Sequence, residues 1–203
     1  FIERAMVRAN DHLAVLSAEA PINQPLLNDG GAFFQLQEEM RAAFECTVID
    51  MPRSMLVQYP HLLHDVQAAV LVTEFTLAAT RDSIRILSWL KTNAPQCRVI
   101  VVANRVPSGE SEISRKDFES SIERKVDLVI PLDAKLASQA AKLGKPLAAA
   151  GKTSKVGPLL SDLADRLIAT VDLGEGEAVR AGGSLFGRIG NLKAMLPKKA
   201  AKA

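Results

Sequence analysis

Residues 97–103, Cys97-Arg98-Val99-Ile100-Val101-Val102-Ala103, constrain the fold more than any other stretch of the chain. A strand with one wet face alternates apolar and polar side chains. This run stays apolar without a break from Val99 to Ala103, the pattern of a strand covered on both faces. Such strands belong to parallel sheets with helices packed above and below, and the rest of the chain reads accordingly. Short apolar runs at Leu13-Ala14-Val15-Leu16, Cys46-Thr47-Val48-Ile49, residues 66–73 and residues 127–130 predict further strands. Helices are predicted over residues 32–45, 77–93, 115–124, 134–143 and 158–171 from apolar residues at helical spacing. Ser114 is the expected N-cap of the third, with Asp117 completing a variant capping box. The alternation implies an α/β fold with a doubly wound, mostly parallel sheet.

Composition supports this reading: 48% of residues are hydrophobic but only 4% aromatic, which suits aliphatic helices on a sheet better than a β-sandwich. The apolar runs fall short of the roughly 18 residues that span a bilayer, and a cytoplasmic protein is expected. Cys46 and Cys97 each adjoin a predicted buried strand and make no C-x-x-C pair; they are expected to be reduced core thiols rather than disulfide or metal partners. The chain opens on Phe1-Ile2-Glu3-Arg4 without an initiating Met, as if inside a helix, so an upstream region is expected. Nineteen basic residues against 23 acidic leave residues 1–177 at −4, while the last 26 residues carry six basic groups and no acidic one. The body therefore has no general nucleic-acid footprint.

In a doubly wound sheet ligands bind outside the carboxyl ends of the strands. Those ends read Asp50-Met51-Pro52-Arg53, Thr73-Glu74, Asn104-Arg105 and Ile130-Pro131-Leu132-Asp133. An Asp after a β-branched run can face a magnesium ion, since a hard cation takes oxygen ligands, or it can simply end a strand in an Asp-x-Pro turn. An Asn at a strand end can read adenine, because its amide offers a donor and an acceptor, or it can form a turn.

Together these ends, with the Arg81-Asp82 pair in the 77–93 helix and Gly144-Lys145-Pro146 after the 134–143 helix, resemble the MinD/ParA group of deviant P-loop ATPases over residues 1 to 172. The wording around Asp50-Met51-Pro52-Arg53-Ser54 and residues 112–119 (EISRKDFE) is most similar to the CpaE/TadZ proteins of Flp/Tad pilus assembly. The resemblance implies a P-loop NTPase fold truncated at its N-terminal side and a cytoplasmic, polar or membrane-associated factor that switches through ATP-dependent homodimerisation. It further implies that Asp50 lies on the magnesium and attacking-water side, that Asn104 and Arg105 contact the nucleotide base region, and that Pro131 and Asp133 line the base pocket. ATP and magnesium are expected for the full-length parent, with pilus assembly proteins as partners. Readings as a non-catalytic scaffold, or as a partition or flagellar-placement relative, stay open.

Members of that group carry a Gly/Lys-rich phosphate loop, and no such loop precedes Asp50. This chain alone is therefore expected to bind no ATP and to hydrolyse none. Gly151-Lys152-Thr153-Ser154 imitates the end of G-x-x-x-x-G-K-[ST], but the first Gly would have to stand at Pro146. Its expected job is to turn the chain and cap the 158–171 helix. His61 and His64 stand three apart but lack a convincing third metal ligand, and Ser54, His61 and Asp65 lack the surroundings of a catalytic triad. Trp89 is expected at the edge of the core.

Gly174, Gly176, Gly182 and Gly183 mark a linker over residues 173–183. Beyond it, residues 184–203 form an expected basic amphipathic helix and tail. Leu185, Phe186, Ile189 and Leu192 offer apolar groups and Arg188 and Lys193 cations, suited to an anionic membrane or a partner's groove, or to packing on the body.

Overall fold

The computed structural model describes residues 4–17 and 29–174, with side chains to residue 170. The chain divides into two compact units, residues 1–127 and residues 128–203. The linker and terminal helix expected over residues 175–203 lie outside the described residues.

The first unit begins with a hairpin in which β1 (Val7–Asn10) pairs antiparallel with β2 (Leu13–Val15). The Asn10 side chain accepts the His12 N–H at 2.8 Å and forms the turn. Val7, Leu13 and Val15 are exposed. The predicted apolar strand at 13–16 is thus half of a wet hairpin, a correction to its expected place in a parallel sheet.

Helix α1 (Gly30–Ala43) is capped by Asp29, whose carboxylate accepts the N–H groups of Gly31 and Ala32. It turns Gln37 and Met40 inward, and the Gln37 amide donates to the Leu62 carbonyl at 3.2 Å. At Gly30 an added Cβ would lie 2.4 Å from the Tyr59 ring, so only glycine allows this approach.

Residues 46–49 form no strand; the segment pairs with nothing among the described residues. Cys46 is exposed and Val48 is 86% exposed. This corrects both the predicted strand and the expected core thiol. Extended backbone becomes a strand only where a neighbouring edge receives its N–H and C=O groups, and this run has no such edge beside it. After Pro52, helix α2 (Arg53–Gln58) and a 3₁₀ turn (Pro60–Leu63) follow, neither legible from periodicity. Each is too short to show a repeat.

The core of this unit is the pair β3 (Ala68–Thr73) and β4 (Arg98–Val106), parallel and in register from Ala68↔Arg98 to Thr73↔Ala103. Between them runs α3 (Leu77–Asn93), starting and ending where the sequence pattern put it, with the Thr76 hydroxyl accepting the Ala79 N–H at 3.1 Å. Ile100 to Ala103 are 0–2% exposed, as the unbroken apolar run demands. Leu63, Leu90, Ala94 and Cys97 form a core cluster, with Trp89 packed at its edge as expected.

Helix α4 (Arg115–Ser121) is capped as predicted. The Ser114 hydroxyl accepts the Asp117 N–H at 3.1 Å and donates to the Asp117 carboxylate at 2.6 Å. It ends three residues earlier than expected, at a turn where Glu123 adopts a left-handed φ of 53°. Phe118, fully buried, meets Phe75 edge to face at 5.3 Å.

The second unit holds β5 (Leu128–Pro131), α5 (Ala134–Lys142), α6 (Leu147–Ala150) and α7 (Val156–Gly174). Gly144, at φ 57°, ends the turn after α5. The Gly151–Ser154 segment is a turn: the Ser154 hydroxyl donates to the Gly151 carbonyl at 2.8 Å and accepts the Val156 N–H at 3.1 Å. It caps α7, as expected. No described helix is long and apolar enough to cross a membrane.

Candidate functional site

The carboxyl ends of β3 and β4 bring polar groups together within the first unit. Below the surface, the Thr73 and Ser83 hydroxyls share a buried hydrogen bond at 2.9 Å, fixing the end of β3 to the second turn of α3. Above it, the Arg105 guanidinium engages Glu74, with Nε donating to Oε1 at 2.7 Å. Arg105 does this from a left-handed backbone, φ 54°. A long side chain is uncommon in that region, and the strain of order 1–3 kcal/mol is concentrated where function often lies. Asn104 helps to hold the bend, because its Oδ1 accepts the Arg105 N–H at 2.9 Å. That bond occupies one of the two lone pairs on the amide oxygen and leaves the NH₂ group free to donate. Asn104 is thus a turn former whose donor remains available to a base; the two readings open in the sequence are compatible. The carbonyl of Phe75 accepts the Ile113 N–H at 3.3 Å, tying the long loop after β4 back to the end of β3.

Asp50 lies exposed on the unpaired segment. Three residues on, Arg53 anchors the chain to α3 by donating to Asp82 at 2.8 Å, and Arg85 approaches the same carboxylate at 4.0 Å. Asp82 is the acidic half of the Arg81-Asp82 pair noted in the sequence, so its work here is to hold the segment that carries Asp50. The Glu74–Arg105 and Arg53–Asp82 pairs were not read from the sequence. Their partners lie 31 and 29 positions apart, and only the shared strand-end position of Glu74 and Arg105 hinted at one of them.

In the second unit Pro131 is the last residue of β5. Asp133 is the N-cap of α5, its carboxylate accepting the Leu136 N–H at 2.9 Å. The capping bond assigns Asp133 a structural task that the sequence spacing already allowed.

The donor set matches a nucleotide only in part. An amide NH₂ at the end of β4 and an exposed carboxylate at Asp50 have the chemistry for a base and for a water-bound magnesium ion. The described residues contain no G-x-x-x-x-G-K-[ST] sequence. No group of three or more His, Cys, Asp or Glu side chains that could hold a metal occurs among them either. His64 is hydrogen-bonded to Asp65 at 3.1 Å, and His61 instead lies against the rings of Phe34 and Tyr59. The His64 contact, aided by Arg41, holds the Asp65 carboxyl below its usual range. Asp65 is engaged by His64 and Arg41.

Arg188, Lys193 and the apolar residues Leu185, Phe186, Ile189 and Leu192 lie outside the described residues.

No family model matches the chain, and no curated protein matches it in sequence. In structure it is similar to the crystal structure of a ParA family ATPase from Chlorobium tepidum TLS. The TM-score is 0.68 at 17% identity, over 80% of this chain and 67% of that one. The chain shares the α/β fold of that ParA family ATPase.

Proposed function

We propose that the chain is the ParA-like part of a Flp/Tad pilus assembly and localisation factor of the CpaE/TadZ type. In the parent protein it works as an ATP-dependent dimerisation switch. The observation that supports this best is the combination of a ParA-type fold with an Asn-Arg bend at the carboxyl end of β4, strained and held by Glu74. Asn104 donates its amide hydrogens to the adenine, and Arg105 flanks it. Asp50 faces magnesium through water. ATP and magnesium bind once a phosphate loop from sequence beyond the 203 residues completes the site, and two such subunits then pair. A switch of this kind works because nucleotide favours the paired form over the free one. Pilus assembly proteins read the pairing state, and the basic 184–203 segment adds a contact with anionic membrane.

One observation favours a second reading, a scaffold that keeps the fold without the chemistry. The Arg105 guanidinium is already ion-paired and the Asp133 carboxylate already caps a helix, so both are occupied by structural work.

The test is titration of the 203-residue chain, and of a version extended upstream, with a fluorescent ATP analogue in magnesium buffer. Saturable binding by the extended form alone, weakened by Asn104→Ala, is the expected result. A well-folded extended form that fails to bind would overturn the switch and leave the scaffold.

A further inference from the structure

A groove of about 750 Å³ runs between α3, the start of β4 and the turn after α4, wholly within the first unit. It exists because its two helices differ in length. α3 has 17 residues and α4 has seven, roughly 25 Å against roughly 10 Å at 1.5 Å per residue. α4 stops at Ser121 and the chain turns away at the left-handed Glu123, leaving the C-terminal half of α3 uncovered on that side. There Ile84, Leu87, Ser88 and Lys91 stand at i, i+3, i+4 and i+7 and present one continuous stripe to the groove. Leu90, Cys97 and Ile122 form a buried apolar floor, while Ile84 on the stripe is 43% exposed. Burial pushes the Cys97 thiol up, in keeping with that apolar floor.

The rim is basic. Lys91, Arg98 and Arg124 line it, against the single acid Glu123. Arg124 donates to the Val99 carbonyl, a neutral acceptor that leaves its charge undiminished.

We propose that this groove docks an acidic amphipathic helix of a partner protein. An apolar floor beside a stripe at helical spacing fits the helix-in-groove mode of recognition, in which side chains at i, i+3, i+4 and i+7 anchor the ligand. The excess of cations on the rim selects acidic flanks and speeds their encounter. The chain's own 184–203 segment has apolar residues at matching spacing but carries five basic residues and no acidic one, so the rim repels it. The apolar floor equally disfavours nucleic acid, which binds through phosphates and needs no such surface. This surface is independent of the nucleotide reading.

The probe is a labelled helix-forming peptide of about 14 residues, with leucines at helical spacing and glutamates on both flanks. It is titrated into the isotope-labelled full chain. Saturable binding is expected, with amide shifts confined to residues 84–91, 97–99 and 121–124. Affinity is expected to fall about tenfold in Lys91→Glu and again as salt rises from about 0.05 to about 0.3 M. Ile84→Asp, a change at a part-exposed position that leaves the fold intact by circular dichroism, is expected to abolish it. Absence of saturable binding would overturn the proposal, as would equal affinity in both variants. So would preferential binding at these residues by a peptide copying residues 184–197 or by a uridine oligonucleotide.

Discussion

The chain contains the pattern Cys-x-Val-Ile twice, and the two copies meet opposite fates. In Cys97-Arg98-Val99-Ile100 the cysteine is 8% exposed, the isoleucine 2%, and both Val99 and Ile100 pair with β3. In Cys46-Thr47-Val48-Ile49 the cysteine is exposed, the valine is 86% exposed, and nothing pairs with the run among the described residues. Local preference does not favour the buried copy, since β-branched Val and Ile favour extended backbone in both and Thr47 adds a third such residue to the exposed one. The difference lies in the neighbours. β4 has β3 along one edge, and on the other Asp127 exchanges two bonds with Val101: its N–H donates to the Val101 carbonyl at 2.9 Å and its carboxylate accepts the Val101 N–H at 2.7 Å. The 46–49 run has no such edge among the described residues. Propensity makes a segment willing to be a strand; a partner edge makes it one.

The largest effect should come from the buried copy. Ile100→Ala removes most of a side chain that is 2% exposed and should cost about 2–5 kcal/mol, transfer and cavity terms together. Chemical denaturation measures it. A loss below about 1 kcal/mol would mean that the β4 core repacks freely and that the contrast between the two copies is shallow.

The same contrast explains what was legible in the sequence. An uninterrupted apolar run is a strong signal because it requires cover on both faces, and β4 satisfied it. α3 was legible to the residue because its long apolar period is closed by the Asn93-Ala94-Pro95 stop; its Thr76 cap emerged only in the structure. The 46–49 run gave a similar local signal and misled, since the missing factor, a neighbouring edge, is not encoded in four residues. At the candidate site, Asn104 and Arg105 could be located because strand ends are local features. The left-handed bend of Arg105 and its Glu74 partner could not, because they depend on contacts across 31 positions.

A second, intermediate effect concerns what keeps β4 covered. Glu119 on α4 is 8% exposed and accepts from Lys125, Arg115 and the Val126 N–H, at 2.8, 2.8 and 3.1 Å. It thereby fixes the chain immediately before Asp127. The Lys125 and Arg115 bonds hold its carboxyl at about 2, below the ordinary 4.5. A carboxyl whose folded pKa is depressed stabilises the fold fully above the unfolded value, and that stability is lost as pH falls through the folded one. Glu119 should therefore contribute fully above about pH 4.5 and progressively less down to about pH 2. Thermal melts across that window should show Glu119→Gln less stable than the parent at pH 7 and the two converging in acid. A constant gap at every pH would show that the carboxylate charge is not what secures the turn.

The smallest effect should come from the exposed copy, and it is the most direct way to break the comparison. Val48→Asp places a charge in the middle of the run. If residues 46–49 are as solvated in solution as the 86% exposure of Val48 indicates, the charge stays hydrated and stability should change by no more than about 0.5 kcal/mol. If another strand pairs with this run, the carboxylate must be desolvated among apolar neighbours, at a cost of several kcal/mol. Denaturation midpoints for the 203-residue chain and for an upstream-extended version separate the cases. Tolerance in the first and collapse in the second would mean that the second Cys-x-Val-Ile copy becomes a strand once an edge is supplied. Collapse in both would mean that the two copies never differed.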